Sequence, residues 1–304
     1  MRSNQFGIAS FFDTPNVVKE ARTMNRRARS LPRGWYPVDR KDCQREIESY
    51  LEGWSPPSSA AGANRGGIVP HAGWYFSGRL AARVFYSLKS KKEVEMVVLY
   101  GGHLGPGEPA RIVTEDAWET PFGDMEIHTD LAKALLKRIR AKEESPSSGD
   151  NTIEIHLAMA KFFFPGAKLL AVRSPASLPA EALGKEVAEI VQKEGISVIA
   201  VGSTDLTHYG PNYGFLPKGT GPAAVEWVKK ENDRKWVDHA LKMDAEGLIE
   251  HARANGSACS AGAAASAIAT CKALGAGKGV LLDYYSSYDI MPDDSFVGYA
   301  GIVY

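Results

Sequence analysis

Apolar runs of strand length alternate along this chain with longer stretches of helical periodicity, and that alternation limits what it can fold into. GGIVP at 66–70, VEMVVLYGG at 94–102, KLLAV at 168–172 and ISVIAVG at 196–202 are nearly continuous apolar runs, as a strand covered on both faces requires. Between them, SGRLAARVFYSL at 77–88 puts Leu80, Val84 and Leu88 on one helical face. TDLAKALLKRIRA at 129–141 repeats the spacing, and PAEALGKEVAEIVQKEG at 179–195 ends in a glycine suited to a helix C-terminus. Strand, helix, strand order predicts an α/β fold, a central sheet flanked by helices. Toward the end, GVLLDYYSSYD at 279–289 and SFVGYAGIVY at 295–304 are rich in β-branched and aromatic residues and predict a pair of sheet strands.

No linker long enough to separate two cores interrupts this pattern, so a single domain is expected over 34–304. Residues 1–33 read as a polar, irregular extension with a basic arm at 22–33, and 55–67 and 143–151 read as loops. Thirty-six basic residues balance 36 acidic ones, which gives no net field to attract nucleic acid. The apolar runs fall far short of the roughly 20 residues of a membrane helix. With no signal-peptide pattern at the start, a cytoplasmic protein without nucleic-acid or membrane partners is expected. Cys43, Cys259 and Cys271 are too few and scattered for a disulfide framework.

In an open α/β sheet, ligands bind beyond the carboxyl ends of the strands, and four reactive side chains fall there. His71 follows GGIVP, His103 follows VVLYGG, His208 lies in STDLTHYG after ISVIAVG, and Cys259 stands at the start of an Ala-rich helix. Two imidazoles and a thiolate suit Zn, Cu or Fe rather than Mg or Ca. Trp74, close behind His71, is a candidate pocket wall. Cys271 reads as core, and His239 and His251 as solvated positions of a charged helical stretch. No GxGxxG, P-loop or GxSxG signature accompanies the strands, so nucleotide and serine-hydrolase chemistry lack support.

Taken together these segments resemble the Memo family, component B of the prokaryotic AmmeMemoRadiSam system, which is related in fold to the LigB-type class III extradiol dioxygenases. GWYP at 34–37, GGIVPHAGWYFSG at 66–78, STDLTHY at 203–209 and SFVGYAG at 295–301 match the family's motifs in order. The resemblance implies that His71, His103 and Cys259 ligate one transition-metal ion, with Fe or Cu expected ahead of Zn. It further implies that Asp205 and His208 line the same cleft, with His208 as acid and base, and that Glu154 and His156 border it. Gly101 and Gly102 before His103, Ser260 after Cys259 and Asn151 before Glu154 depart from the family pattern and bear on the substrate pocket. The leading expectation is a metal-dependent, dioxygenase-like oxidoreductase acting on a small aromatic or phenolic compound. One alternative is a non-enzymatic protein that handles metal or binds an aromatic or phosphorylated peptide; another is a zinc-dependent hydrolase. In each case a small molecule or peptide would occupy a strand-end cleft, and the sequence leaves the oligomeric state unspecified.

Overall fold

The computed structural model describes residues 23–62, 65–89 and 93–304; the first 22 residues of the expected N-terminal extension lie outside them. A nine-stranded mixed sheet runs through the molecule. Its strand order is His208–Tyr209, Phe296–Val303, Gly66–Val69, Val198–Ser203, Met96–Leu104, Lys168–Pro175, Ala110–Ile112 and Ala141–Glu143, with Val280–Ser286 also paired to Phe296–Val303. The four strands from Gly66–Val69 to Lys168–Pro175 are mutually parallel. The expected C-terminal pair is present and antiparallel, and Phe296–Val303 also runs antiparallel to Gly66–Val69.

The parallel strands are apolar throughout because both of their faces are covered. Met96, Val98, Tyr100, Leu170, Val172 and Ala200 point into one core, beneath the helices Thr129–Arg138, Pro179–Glu194, Asp233–Leu241, Ala245–Asn255 and Ala261–Ala273. Their neighbours Val97, Leu99, Leu169, Ala171, Ile199 and Val201 point into the other, beneath Arg40–Leu51, Trp74–Ser87 and Asn151–Phe163. Period-two alternation of the side chains thus feeds two hydrophobic layers at once. The chain is α/β with a central sheet flanked by helices, as the sequence predicts.

Ala261–Ala273 is buried along almost its whole length and packs directly on the sheet. A Cβ at Gly262 would fall 2.1 Å from the Pro175 carbonyl oxygen, so this first turn approaches the backbone as only glycine permits. The helix expected over 129–141 stops at Arg138: Ile139 turns to extended backbone, and Ala141–Glu143 joins the sheet edge. The end of the N-terminal arm is tied to the body. Arg26–Arg27 pairs in parallel with Ala117–Trp118, and the buried Arg27 guanidinium meets Glu115 at 3.0 Å. No helix among the described residues is long and apolar enough to cross a membrane.

Candidate metal centre

Strand register brings the distant motifs together. Val69 lies opposite Ser203, and Tyr100 opposite Gly202, so the segments leaving three adjacent parallel strands emerge side by side. His71 comes two residues after Val69. His103 is the single exposed position of Met96–Leu104, and Gly102 beside it has φ +100°, left-handed backbone that glycine adopts without strain. Cys259 arrives from the far end of the chain, immediately before Ser260, the N-cap of Ala261–Ala273. Its backbone N–H donates to the Asp205 carbonyl at 3.2 Å, and the Ser260 N–H donates to Thr204 Oγ1 at 3.1 Å.

One donor atom from each of His71, His103 and Cys259 lies within 4.8 Å of the other two. Cys259 Sγ is 3.2 Å from His71 Nε2, and the two imidazole rings meet edge to face with centroids 5.1 Å apart. Zn–N bonds near 2.05 Å and Zn–S bonds near 2.3 Å give donor atoms about 3.5 Å apart in a tetrahedral site. The trio is therefore preassembled at coordination scale, and its chemistry suits one transition-metal ion with coordination positions to spare.

The electrostatics of the cluster are those of an imidazolium–thiolate group. Burial opposes charge on His71, but the Cys259 thiolate and the Asp205 carboxylate prevail and push its pKa up to about 9. Hydrogen bonding to Asp150 and to Cys259 raises His103 to about 10 despite partial burial. Burial favours the neutral thiol of Cys259, yet the adjacent His71 charge and hydrogen bonds from both histidines hold its pKa well below the usual thiol range. A thiolate is the form that binds metal.

Partners behind the trio orient it. His103 Nδ1 lies 3.4 Å from Asp150 Oδ2. Asp150 is braced by Arg173 at 3.2 Å and caps the helix Asn151–Phe163 through the Thr152 N–H. His71 Nδ1 lies 3.0 Å from Ser203 Oγ, and the same oxygen lies 3.0 Å from His156 Nε2. Sequence reasoning passed over both Asp150 and Ser203. Asp150 carried one signal, an acidic residue at the N-cap before a helical run; Ser203 ends a strand and opens the STDLTHY motif, which marked the segment without giving the serine a role.

The other predicted residues divide between the cleft and its support. Asp205 and His208 line the same cleft of about 450 Å³ as His71 and His103. Asp205 Oδ1 accepts the His71 backbone N–H at 2.6 Å, and its other oxygen is 3.9 Å from His71 Nε2. His208 Nδ1 faces the Leu206 carbonyl at 3.1 Å, and its ring packs edge to face on Tyr213. His156 is buried behind His71 rather than on the cleft wall. Trp74 is buried outside the cleft and donates its indole N–H to the Ile155 carbonyl. Glu154 also lies outside it: its carboxylate accepts the N–H groups of Ser30 and Leu31 and the hydroxyls of Ser30 and Tyr36, anchoring the N-terminal arm. Asn151 lines the cleft and donates its side-chain amide to the His71 carbonyl.

Known proteins resemble this chain over most of its length. The chain is 30% identical over 285 residues to the MEMO1 family protein MK0963 of Methanopyrus kandleri, covering 89% of this chain and 95% of that protein. It is likewise 30% identical to a MEMO1 family protein of Thermococcus onnurineus, covering 78% and 86% of the two chains. A solved structure, that of an uncharacterized protein JW3007 from Escherichia coli K12, covers 74% of this chain and 91% of its own at 13% identity and a TM-score of 0.45. The pattern of the Memo-like protein family matches residues 27–303, and the chain belongs to that family.

Proposed function

We propose that this protein binds one transition-metal ion through His71, His103 and Cys259 and carries out oxygen chemistry on a small aromatic or phenolic compound, with Fe or Cu as the working metal. The observation that carries the reading is the convergence of two imidazoles that line a cleft, beside His208 and aromatic walls, with one cysteine sulfur within 4.8 Å of both. The ion would supply a Lewis-acidic, redox-active point at which a phenolic oxygen and dioxygen meet.

The protein's own groups fit the remaining tasks. His208 faces the Leu206 carbonyl with Nδ1, so that nitrogen carries the proton and Nε2 is the basic one. An imidazole so oriented can take a phenol's proton and return it later. Trp35, Phe76, Tyr213 and Tyr299 line the cleft and offer faces and edges against which a planar ring packs. Asp205, through its bond to the His71 N–H, fixes the backbone from which that ligand projects. All three cysteines are free thiols, which suits the reducing cytoplasm that we take as the setting.

Elemental analysis of protein purified without added metal, followed by oxygen uptake over a panel of catechols, tests the reading. We expect Fe or Cu near one equivalent, its loss in His71→Ala and Cys259→Ser, and uptake that depends on His208. A full equivalent of metal in both variants would remove the ligand assignment. Zn occupancy with a silent panel would replace oxygen chemistry by hydrolysis or by binding without catalysis.

A further inference from the structure

We propose that the cleft selects uncharged or cationic ring compounds over anionic ones, and that Asp293 at its mouth is the residue that sets this preference. The proposal rests on the preceding reading of the cleft as a site for a phenolic compound, and it goes further by assigning the charge of that compound.

Among the described residues, those lining the cleft include no lysine and no arginine. The carboxylates there are Asp205 at the buried floor and Asp293 at the exposed mouth. Three cations on neighbouring segments belong to other partners. Arg173 sits behind the cleft wall against Glu144 and Asp150, Lys229 is paired to Asp289, and Arg79 lies over the Tyr285 ring. A phosphate or carboxylate on a bound ligand would meet neither arginine nor lysine, on which its recognition ordinarily rests, and the positive charge of His71 and His103 is already matched by Cys259, Asp205 and Asp150.

Asp293 is held in place. Its Oδ1 accepts the Ser295 N–H at 2.9 Å, and Ser295 Oγ accepts the Asn212 N–H at 3.1 Å, which ties the carboxylate's turn to the 211–213 turn carrying Tyr213. Asp205 and Asp293 line the same cleft as Tyr213, and burial, then both carboxylates, raise the pKa of its phenol. His71 is 2% exposed and Asp293 is exposed. A ring whose hydroxyls reach the histidines and Cys259 therefore has its far substituent at the mouth, beside Asp293. At a wet rim, one carboxylate should favour an ammonium and disfavour a carboxylate by about fivefold each.

Three catechols of matched size provide the test: 4-ethylcatechol, 3,4-dihydroxyphenethylamine and 3-(3,4-dihydroxyphenyl)propanoate. Binding to the metal-loaded protein is followed by calorimetry and by quenching of tryptophan emission, since Trp35 lines the cleft. The amine should bind about fivefold more tightly than the neutral compound, and the acid about fivefold more weakly. Asp293→Asn should remove most of this spread and Asp293→Lys should invert it, with metal content measured in each variant to show that the centre is retained. Equal binding of all three, tighter binding of the acid, or an unchanged order in Asp293→Asn would overturn the charge assignment while leaving the phenolic reading standing. Binding of none would overturn both. Phosphotyrosine binding more tightly than tyramine would instead identify an anion site and end the proposal.

Discussion

A serine hydroxyl carries one proton, and at Ser203 that fact fixes the direction of a hydrogen-bond chain. His71 turns Nε2 toward Cys259 Sγ, so when that nitrogen's lone pair is given to a metal its proton sits on Nδ1. Ser203 Oγ then accepts from His71 and donates to His156 Nε2, leaving the His156 proton on Nδ1, a buried atom with no partner among the described residues. Outer partners of this kind orient a ligand, and losing one typically costs 10- to 100-fold in metal affinity. Ser203→Ala should therefore weaken metal binding by about tenfold in a chelator competition, with Ser203→Thr restoring most of it. The neutral state of His156 has a pH consequence as well. Burial, reinforced by the nearby His71 charge, lowers its pKa from 6.5 to about 3. Between those values the unfolded chain binds more protons, so this residue's contribution to stability is intact above pH 6.5 and is lost as pH falls toward 3. Denaturant unfolding at pH 7 and pH 4.5 should show that loss, and His156→Gln should flatten it.

Elements rather than single residues decide how close the ligands can come. The first turn of Ala261–Ala273 sets the position of Cys259, and Gly262 lets that turn lie against the Pro175 carbonyl. Gly262→Ala should cost about 2–3 kcal/mol by overpacking, read as a lower urea midpoint, and should weaken metal binding because Cys259 must retreat with the helix. Much at this scale was legible in the sequence. Fully apolar strands declared a sheet covered on both sides, and His71, His103, His208 and Cys259 drew notice because each follows a strand or opens a helix. Periodicity gave the helices but misjudged an end: Arg140 and Ala141 continue the apolar and basic rhythm of 129–138, while tertiary pairing draws 141–143 into the sheet edge. The support behind the ligands was not legible, because Ser203 meets His71 across 132 residues and His156 across 47. No local pattern encodes such meetings. Glu154 shows the same limit: its helix position was evident, yet its hydrogen bonds run to Ser30 and Leu31, so its surroundings depend on where the N-terminal arm lies.

Across the whole molecule, the trio joins positions 71, 103 and 259, the first and the last separated by 188 positions in sequence. An ion held there joins the ends of the first two parallel strands in chain order to the segment that opens the helix Ala261–Ala273. Binding to the native state alone adds about 2.7 kcal/mol when free metal is 100 times its dissociation constant. Thermal melting should accordingly rise with free metal and return on chelation, and Cys259→Ser should lose most of that response. Because the clasp closes so long a stretch of polypeptide, cellular supply of the ion would govern the lifetime of the folded protein as well as its chemistry.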